Sequence, residues 1–412
     1  MFGAPSLLYL CKSTAFSPMD FHLFELSANA MMLRPFTYTR PVAEIRVGML
    51  TSKERWEKLL SKSISISGSG LTENLWPRPA GPSFYIDSAW FPSEVHASMV
   101  KELQPGQALF CEDRLLACNS LNGLSQSPQA DDFLDVEYLP DAILIIRPWE
   151  IFSLNGRILR TDFALLTKGR VSAGILDPFS VVYGPENVFV EEGADIKASI
   201  INALDGPVYI GKYAQVQEGS ILKGPFALMD NSVVNMGAKI RPDTTVGPYC
   251  KVGGEINNSV FFGYSNKAHD GFLGNSVIGE WCNLGADTNN SNLKNNYAVV
   301  KTWGHAEEAM ISTGLQFCGL LMGDHSKAGI NSMFNTGTVV DPCCNLFDTG
   351  FPPTYVPPFT WGNVHSGFET YRFDKFLEAE EKVFARRGKT IDESYSNMLR
   401  HLFTESIGGF RI

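Results

Sequence analysis

The stretch "IGKYAQVQEGSILKGPFALMDNSVVNMGAKIRPDTTVGPYCKV", residues 210–252, repeats with a period of six. Every sixth position holds Ile, Val or Leu, and a small residue follows most of these by four positions. An α-helix repeats every 3.6 residues and a plain strand every two, so neither explains this period. The aliphatic positions are Ile210, Val216, Leu222, Leu228, Val234, Ile240, Val246 and Val252. The small residues are Ala214, Ser220, Ser232, Ala238, Thr244 and Cys250.

A period of six is typical of a triangular prism in which each side is a short strand followed by a turn. Three sides make one coil of about eighteen residues, with the aliphatic side chain pointing inward and the small residue at the corner. Stacked coils then pair as parallel strands about 4.8 Å apart. The stretch therefore predicts a parallel β-helix built from hexapeptide repeats.

The repeat is interrupted twice. It is lost over residues 253–277, returns at Ile278 and Leu284, and is lost again over residues 289–321. It resumes at Met322, Ala328, Phe334, Val340 and Leu346. We predict that both interruptions are loops extruded from the β-helix, and such loops usually carry function.

The repeat also divides the chain into parts. Residues 1–18 are interpreted as a leader or an over-called start. Residues 19–175 alternate between helical and strand patterns, including a capped amphipathic helix over residues 51–63, and are predicted to form an α/β domain. The β-helix is predicted over residues 176–350. Residues 351–412 form a proline-rich exit and two helices that we expect to cap or pack beside the open end of the prism.

Composition narrows the possible partners. The chain has 412 residues and a net charge of −10, with no run of Lys and Arg, so nucleic acid is not expected. No apolar stretch is long enough to span a bilayer. The eight cysteines form no CxxC pair, and we interpret them as buried thiols of a reducing, cytoplasmic compartment.

The segment "KAHDGFLGNSVIGEWCNLGADTNNSN", residues 267–292, resembles the acetyltransferase half of the bifunctional N-acetylglucosamine-1-phosphate uridyltransferase/glucosamine-1-phosphate acetyltransferase. The resemblance implies a left-handed β-helix and acetyl transfer from acetyl-CoA to a sugar phosphate. It also implies that His269 is the catalytic base and that Asn283 assists it. The substrate-binding residues implied are Arg241, Asn257, Phe272 and Asn292. Asn257 stands where the family has a lysine, and Phe272 where it has a tyrosine.

Histidine suits a base of this kind, because an attacking amine or hydroxyl must lose a proton near neutral pH. Asp270 or a backbone carbonyl could fix its tautomer. Two alternatives stay open for His269: a turn residue without a role, or a zinc ligand together with His305 and His325. The segment "MGDHSKAGINS", residues 322–332, resembles coils that line an acyl-CoA groove. It implies contacts of acetyl-CoA with Ser326, Lys327 and Ala328, and Lys301 could meet its phosphates.

Nearly the whole chain resembles a group of sugar nucleotidyltransferases of the same type, chiefly from Bacteroidetes-like bacteria. The segments that carry this resemblance are "FTYTRPVAEIRVGMLT" (36–51), "GEWCNLGADTNNSNLKNNYAVVK" (279–301), "TGLQFCGLLMGDHSKAGINSMFNTGTVV" (313–340) and "FTWGN" (359–363). The usual Gly-x-Gly-Thr-Arg signature is missing. Its nearest counterpart, "YTRPVAEIR", makes Arg40 and Arg46 the candidate ligands of a nucleotide phosphate. Mg²⁺ would accompany nucleotide transfer, with ligands that the sequence does not identify.

These observations predict a transferase of nucleotide-sugar and cell-surface polysaccharide biosynthesis, acting on a sugar phosphate or nucleotide sugar, with a nucleoside triphosphate as a further candidate substrate. A non-catalytic β-helix that binds a nucleotide sugar or serves as a scaffold is the alternative. Apolar or small outward positions also favour a homotrimer, because packing three prisms would bury them. These positions are Val233, Met236, Met333 and Val339.

Overall fold

The structure, a computed structural model, describes residues 20–347 and 350–407. The predicted leader at residues 1–18 lies outside the described residues. Within them, no helix is both long and apolar enough to cross a bilayer.

The N-terminal domain is built on one mixed sheet. The strands of the domain are β1 (Phe21–Phe24), β2 (Arg46–Val47), β3 (Leu50–Thr51), β4 (Ser65–Ile66), β5 (Ser83–Asp87), β6 (Trp90–Phe91), β7 (Gln107–Cys111), β8 (Arg114–Ser120), β9 (Asp135–Tyr138) and β10 (Ile143–Leu144). Its helices are α1 (Ser27–Met32), α2 (Ser52–Leu60), α3 (Glu94–Glu102), α4 (Pro148–Ser153) and α5 (Asn155–Thr167). The predicted helix over residues 51–63 is α2. Thr51 caps it, because its side chain accepts the Glu54 amide while Glu54 accepts the Thr51 amide.

The main sheet has the order β4-β1-β5-β8-β7-β9. Strand β1 runs parallel to both β4 and β5, whereas β8 is antiparallel to its neighbours. The chain leaves β1, enters β4 on one side and then β5 on the other. The carboxyl ends of these strands therefore border a crevice at a reversal of strand order, which is where open α/β sheets bind ligands.

The β-helix consists of short strands in parallel ladders. In chain order they are β11 (Val181–Tyr183), β12 (Val188–Val190), β13 (Asp195–Ile196), β14 (Ile200–Asn202), β15 (Val208–Ile210), β16 (Gln215–Val216), β17 (Ile221–Lys223), β18 (Phe226–Leu228), β19 (Val233–Val234), β20 (Lys239–Ile240), β21 (Thr244–Val246), β22 (Lys251–Val252), β23 (Glu255–Asn257), β24 (Val260–Phe261), β25 (Asn266–Lys267), β26 (Phe272–Gly274), β27 (Val277–Ile278), β28 (Asn283–Leu284), β29 (Asn289–Asn290), β30 (Lys301–Gly304), β31 (Ala309–Ser312), β32 (Leu321–Met322), β33 (Lys327–Ala328), β34 (Met333–Phe334), β35 (Val339–Val340), β36 (Asn345–Leu346), β37 (Tyr355–Val356), β38 (Thr360–Asn363) and β39 (Gly367–Thr370).

These strands form three faces. The first face runs from β11 through β14, β17, β20 and β23 to β26, the second from β12 to β37, and the third from β13 to β38. Val216 pairs with Val234 and Val234 with Val252, eighteen residues apart each time, so three hexapeptides make one coil. The inward aliphatic residues form one continuous core. With the α/β domain before it and two helices after it, the predicted fold class is confirmed, and the ladder continues past residue 350 to Asn363.

The two interruptions of the repeat have different causes. Over residues 253–277 nothing is extruded, and the prediction of a loop there is wrong: Val252 pairs with Lys267, only fifteen residues later, because two corners of that coil are shortened. The second interruption is a true insertion. Leu284 pairs with Ala328, forty-four residues later, and the intervening chain includes the antiparallel hairpin of β30 and β31.

Two corners of the prism differ in composition. Between the second and third faces, residues with a left-handed backbone form what we call the aromatic corner: Tyr213, Asn231, Tyr249, Tyr264, Trp281, His325, Cys343 and Phe359. Such a backbone is unfavourable for bulky residues, and ring stacking offsets the cost. Between the third and first faces, the glycine corner reaches the same conformation mainly with glycines: Gly219, Gly237, Gly254 and Gly271.

The remaining elements pack against the prism. Helices α4 and α5 of the N-terminal domain contact the second face at β18, β21 and β27. The tail helices, α6 (Phe373–Ala385) and α7 (Glu393–Ile407), lie beside the last coils. Phe384 extends the aromatic corner, because its ring centroid lies 4.0 Å from that of Trp281, which itself stacks on Tyr264 at 4.2 Å.

Candidate functional site

A cavity of about 1010 Å³ opens at the carboxyl edge of the N-terminal sheet. Residues 26–28 follow β1 directly, and residues 68–80 lie between β4 and β5; both segments contribute to its wall. The turn between β7 and β8 and residues 122–129 close the other side. The cavity therefore lies at the edge where the topology favours a ligand.

Asp87, the last residue of β5, and Arg114, the first of β8, form an ion pair beside this cavity. Asp87 also accepts the Ala89 amide at 2.9 Å, and Arg114 donates from Nη1 to the Asn29 side-chain oxygen at 3.2 Å. Two donors of this cluster are buried and have no hydrogen-bond partner among the described residues. They are Nη2 of Arg114 and the side-chain amide nitrogen of Asn29. A pair of orphaned donors needs acceptors, and an anion supplies them.

Glu25 is the second carboxyl group at this edge, directly after β1. It is 1% exposed and accepts hydrogen bonds from the Val42 amide and the Ser69 hydroxyl, both at 2.6 Å. Burial raises the pKa of Glu25 to about 7. Arg78 donates to the Glu25 backbone carbonyl at 3.0 Å and lines the cavity as a second cation.

The two buried carboxyl groups at this edge, Asp87 and Glu25, do not fit a Mg²⁺ site. Mg²⁺ prefers free carboxylate oxygens together with water and phosphate. Both oxygens of Asp87 are engaged by Arg114 and Ala89, and both oxygens of Glu25 are engaged by Val42 and Ser69. Across residues 20–347 and 350–407, no group of three or more His, Cys, Asp or Glu residues is arranged to hold a metal ion.

The two arginines predicted as nucleotide ligands lie elsewhere. Arg40 is 8% exposed and forms ion pairs with Asp324 and Glu280 of the β-helix, the latter at 3.3 Å. Arg46 pairs with Glu54 at 3.2 Å and donates to the Met49 carbonyl. Neither arginine lines the cavity. Their assignment to a phosphate stays a prediction; in this structure Arg40 joins the two domains, and Arg46 stabilises the start of α2.

His269 lies on the glycine corner, in the turn between β25 and β26, and not in an extruded loop. Its side chain is exposed, and no described residue forms a hydrogen bond with its ring, so Asp270 does not fix its tautomer. Met236 and Ile330 occupy the same corner two coils before and two coils after it, and they are 72% and 66% exposed. The corner thus presents an imidazole between two apolar side chains.

The other residues assigned by the resemblance are divided between two faces. Phe272 begins β26 on the first face and is in register with Glu255, which pairs with Arg241 at 3.2 Å. His269 therefore lies three residues before Phe272, and Phe272 lies one coil from the Glu255 partner of Arg241. Asn283 is exposed on the third face, in register with Asn266.

Two asparagines complete this set. Asn257, half-buried, lies on the first face in register with Gly274. Asn292 donates to the Asn275 side-chain oxygen at 2.8 Å, beyond the end of β29. The first therefore faces the same surface as Phe272, whereas the second secures a corner.

Most residues predicted to contact acetyl-CoA are not available to it. Ser326 is fully buried and donates to the Asp341 carbonyl at 2.7 Å, and Ala328 belongs to the core of the prism. Lys327 forms an ion pair with Glu380 of α6 at 2.6 Å. These three assignments stay predictions, and the side chains point inward or toward the tail helices. Lys301 is exposed on the inserted hairpin.

The three histidines considered as zinc ligands belong to separate surroundings. His305 bonds Asp341 at 2.8 Å, and His325 bonds Glu380 at 2.7 Å and the Tyr395 hydroxyl at 2.8 Å. Both are buried, whereas His269 is exposed. The arrangement gives the zinc alternative no support.

Sequence reasoning missed the residues of the N-terminal cavity. Asp87 carried a usable signal, because it ends the strand "SFYID" in a domain where parallel strands were expected. Glu25 likewise ends the first strand. Arg114 and Asn29 carried none, since they approach Asp87 only through the pairing of β5 with β8.

One family model and one curated relative match parts of the chain. Residues 21–171 match the family model described as sugar nucleotidyl transferase. The chain is 28% identical over 149 residues to YaiX of Escherichia coli (strain K12), named as an uncharacterised acetyltransferase; this covers 36% of the chain and 64% of YaiX, less than two thirds of that relative.

Two solved structures are also similar. A UDP-N-acetylglucosamine acyltransferase of Arabidopsis is 16% identical, with a TM-score of 0.20, over 56% of this chain and 90% of its own. The Francisella novicida enzyme of the same name is 11% identical, with a TM-score of 0.17, over 57% and 88%. The two sequence matches are both to proteins described as transferases, one of nucleotidyl groups and the other of acetyl groups.

Proposed function

We propose that the chain is a transferase of nucleotide-sugar metabolism whose N-terminal cavity binds the phosphate groups of a sugar phosphate or nucleotide sugar. The observation that carries this proposal is Arg114, which lines the cavity and keeps one buried guanidinium donor without a partner among the described residues. Guanidinium groups bind phosphate through paired hydrogen bonds. Arg78 adds a second positive charge on the same wall, and the match of residues 21–171 to sugar nucleotidyl transferases supports the same ligand class.

The ligand binds without a metal ion in this proposal, because the buried carboxylates beside the cavity, Glu25 and Asp87, are engaged by protein donors. We expect a bare nucleoside triphosphate to bind weakly, since its clustered charges usually require Mg²⁺ and the domain lacks a glycine-rich phosphate loop. The proposed function includes no nucleotidyl transfer that depends on Mg²⁺.

Calorimetry on the full chain tests this proposal. A sugar 1-phosphate, a nucleotide sugar and a nucleoside triphosphate are each titrated in the presence of EDTA and then of Mg²⁺. Binding of a sugar 1-phosphate or nucleotide sugar in EDTA is the expected result. Binding that requires Mg²⁺ would contradict the metal-free site, and no binding of any phosphorylated sugar would overturn the proposal.

A second function, acetyl transfer from acetyl-CoA to a sugar phosphate, is proposed for the glycine corner. The exposed, unpartnered imidazole of His269 next to Phe272 favours it, as does the similarity to an acetyltransferase. His269 would accept the proton of an amine or hydroxyl as that group attacks the thioester carbonyl. The new C–N or C–O bond forms, the C–S bond breaks, and coenzyme A leaves as the thiol once it has taken up the proton.

The two sites are separate within one chain. The N-terminal domain packs on the second face, and the glycine corner lies opposite that face, between the first and third. Each activity could therefore be lost without the other. A chain that binds a nucleotide sugar but never transfers acetyl from acetyl-CoA to any sugar phosphate would fit the non-catalytic alternative. A homotrimer in the cytoplasm remains part of the proposal.

A further inference from the structure

Lys267 occupies a position that the repeat reserves for an aliphatic residue. It is in register with Val252, points into the prism and is fully buried. A buried ammonium group is costly unless its charge is satisfied, and lysine is among the residues least often found fully buried. The proposed acetyl transfer does not use this lysine, so its presence in the core needs a separate explanation.

The ammonium group of Lys267 is satisfied by backbone carbonyls of two neighbouring coils. It donates to the carbonyl of Gly253 at 3.4 Å, of His269 at 3.0 Å and of Asp270 at 3.2 Å. The first belongs to the turn of one coil, and the other two belong to the turn of the next. One side chain therefore joins both turns from inside the β-helix.

A mismatch between these turns explains why carbonyls are free. The turn between β22 and β23 contains two residues, whereas the turn between β25 and β26 contains four. The longer turn has no equivalent below it for part of its length. In the described chain, no backbone amide donates to the carbonyl of Gly253 or of His269. Lys267 supplies the missing donors at the point where the ladder is out of step.

We infer that Lys267 is a positioning residue that holds the turn carrying His269 in one conformation from inside the β-helix. The inference rests on the proposed acetyl transfer for its catalytic meaning. The carbonyl that Lys267 binds belongs to His269 itself, so the bond fixes the backbone from which the imidazole extends. A displacement of about 1 Å in a reacting group can lower a rate about 100-fold, which gives such a bond a functional consequence.

The charge state of Lys267 offers a readout that does not need activity. Burial lowers the pKa of Lys267 to about 8, although the nearby carboxylates of Asp270 and Asp287 raise it again in part. Between that value and the usual 10.5, the unfolded chain binds more protons than the folded one. The free energy of unfolding therefore contains a term that rises with pH above about 8, and Lys267→Met should remove that term.

The test compares the wild type, Lys267→Met and a matched control, Leu284→Met. Leu284 is the inward residue of the next coil, and exchanging it for Met conserves volume without touching any carbonyl bond. The measurements are the nuclear magnetic resonance signal of the His269 ring, assigned with His269→Ala, the rate of acetyl transfer, and stability between pH 7.5 and 9.5.

We expect Lys267→Met to shift or broaden the His269 signal, to lower acetyl transfer about 10- to 100-fold, and to flatten the rise of stability with pH, while Leu284→Met changes none of these. A folded Lys267→Met chain with an unchanged His269 signal would overturn the inference. If Lys267→Met does not fold, the same measurement on the wild type replaces it. A His269 ring signal that stays constant from pH 7.5 to 9.5 would contradict the link between Lys267 and the turn that carries His269. Acetyl transfer that survives His269→Ala would instead overturn the proposed function. The His269 ring signal would then still test whether Lys267 positions the turn.

Discussion

The N-terminal cavity and the glycine corner are opposite kinds of site. The cavity is enclosed by segments of one domain, and its polar groups already contact one another: Arg114 meets Asp87 and Asn29, and Glu25 meets Ser69. The corner is open, and the ring of His269 contacts no polar partner among the described residues. The polar groups of the cavity therefore have their partners within a single chain, whereas the ring of His269 does not.

The difference teaches that the corner is at most part of a site. A general base requires a second group to orient it and a surface to hold the substrate. The flanking Met236 and Ile330 are exposed apolar groups that another surface could cover, either acetyl-CoA or a second copy of the chain. The cavity needs only its ligand.

The largest effect is expected for His269→Ala. Loss of the base should lower acetyl transfer by about 10²- to 10⁴-fold, and the melting temperature should stay constant because the side chain is exposed. The matched control is His401→Ala, an exposed histidine on α7. Turnover measured with acetyl-CoA and an identified acceptor distinguishes the two variants. Equal rates for both would remove the corner from consideration as an active site.

Arg114→Met should have the next largest effect. Hydrogen bonds to a charged ligand contribute about 1.5–3 kcal/mol, which corresponds to roughly 10- to 150-fold in affinity. Calorimetry with the sugar 1-phosphate or nucleotide sugar that binds the wild type measures this. Arg157→Met, which removes an exposed arginine of α5, provides the control. Unaltered affinity in the Arg114 variant would show that the orphaned donors serve another purpose, such as binding water.

Glu25→Gln should change stability in a pH-dependent manner. The folded-state pKa of Glu25 is raised from 4.5 to about 7, so the folded chain binds more protons in that interval and loses stability as pH rises through it. Glutamine avoids the buried charge, and we expect a gain of up to about 3 kcal/mol at pH 8 and little at pH 4. Thermal denaturation at both pH values, with the exposed cavity residue Glu73→Gln as control, checks this. A gain of equal size at both pH values would contradict it.

The smallest and least direct effect concerns association. Light scattering should give the mass of three chains at micromolar concentration, and Met236→Lys should shift it toward one chain by placing a charge at the glycine corner. Val339 no longer supports this expectation, because it is 1% exposed and covered within the same chain, whereas Val233 and Met333 are half-buried. A single-chain mass that retains acetyl transfer would refute the shared site.

The sequence predicted the β-helix well because its restraint is local and periodic. The aliphatic positions from Val216 to Val252 follow directly from stacking in coils of eighteen. The shortened coil escaped detection because a lysine, Lys267, fills the inward position that a search for aliphatic residues expects. The glycine corner of that coil is two residues shorter and the next corner is one residue shorter, so the register moves by three.

The candidate sites were predicted less well because they depend on distant contacts. Arg40 was assigned to a phosphate, but its acceptor, Asp324, is 284 residues away in the chain. The cavity combines Glu25, Asp87 and Arg114 from different strands, and no short motif connects them. Ser326 and Ala328 matched a family segment, yet the periodicity itself placed them in small and inward positions, which is where the structure has them.

The bond between Arg40 and Asp324 also has a consequence for the order of synthesis. At about 5–20 residues per second, translation reaches Asp324 on the order of 10 to 60 seconds after Arg40. Until Glu280 is translated the guanidinium has neither of its β-helix carboxylates, and until Asp324 is translated it has only that one; the apolar surface that later covers Phe262 and Val277 is also open at first. The N-terminal domain therefore emerges with a surface for which no partner yet exists. A chain that stops before residue 324 would keep the sheet around the cavity and lose the acceptor that holds the domain to the prism.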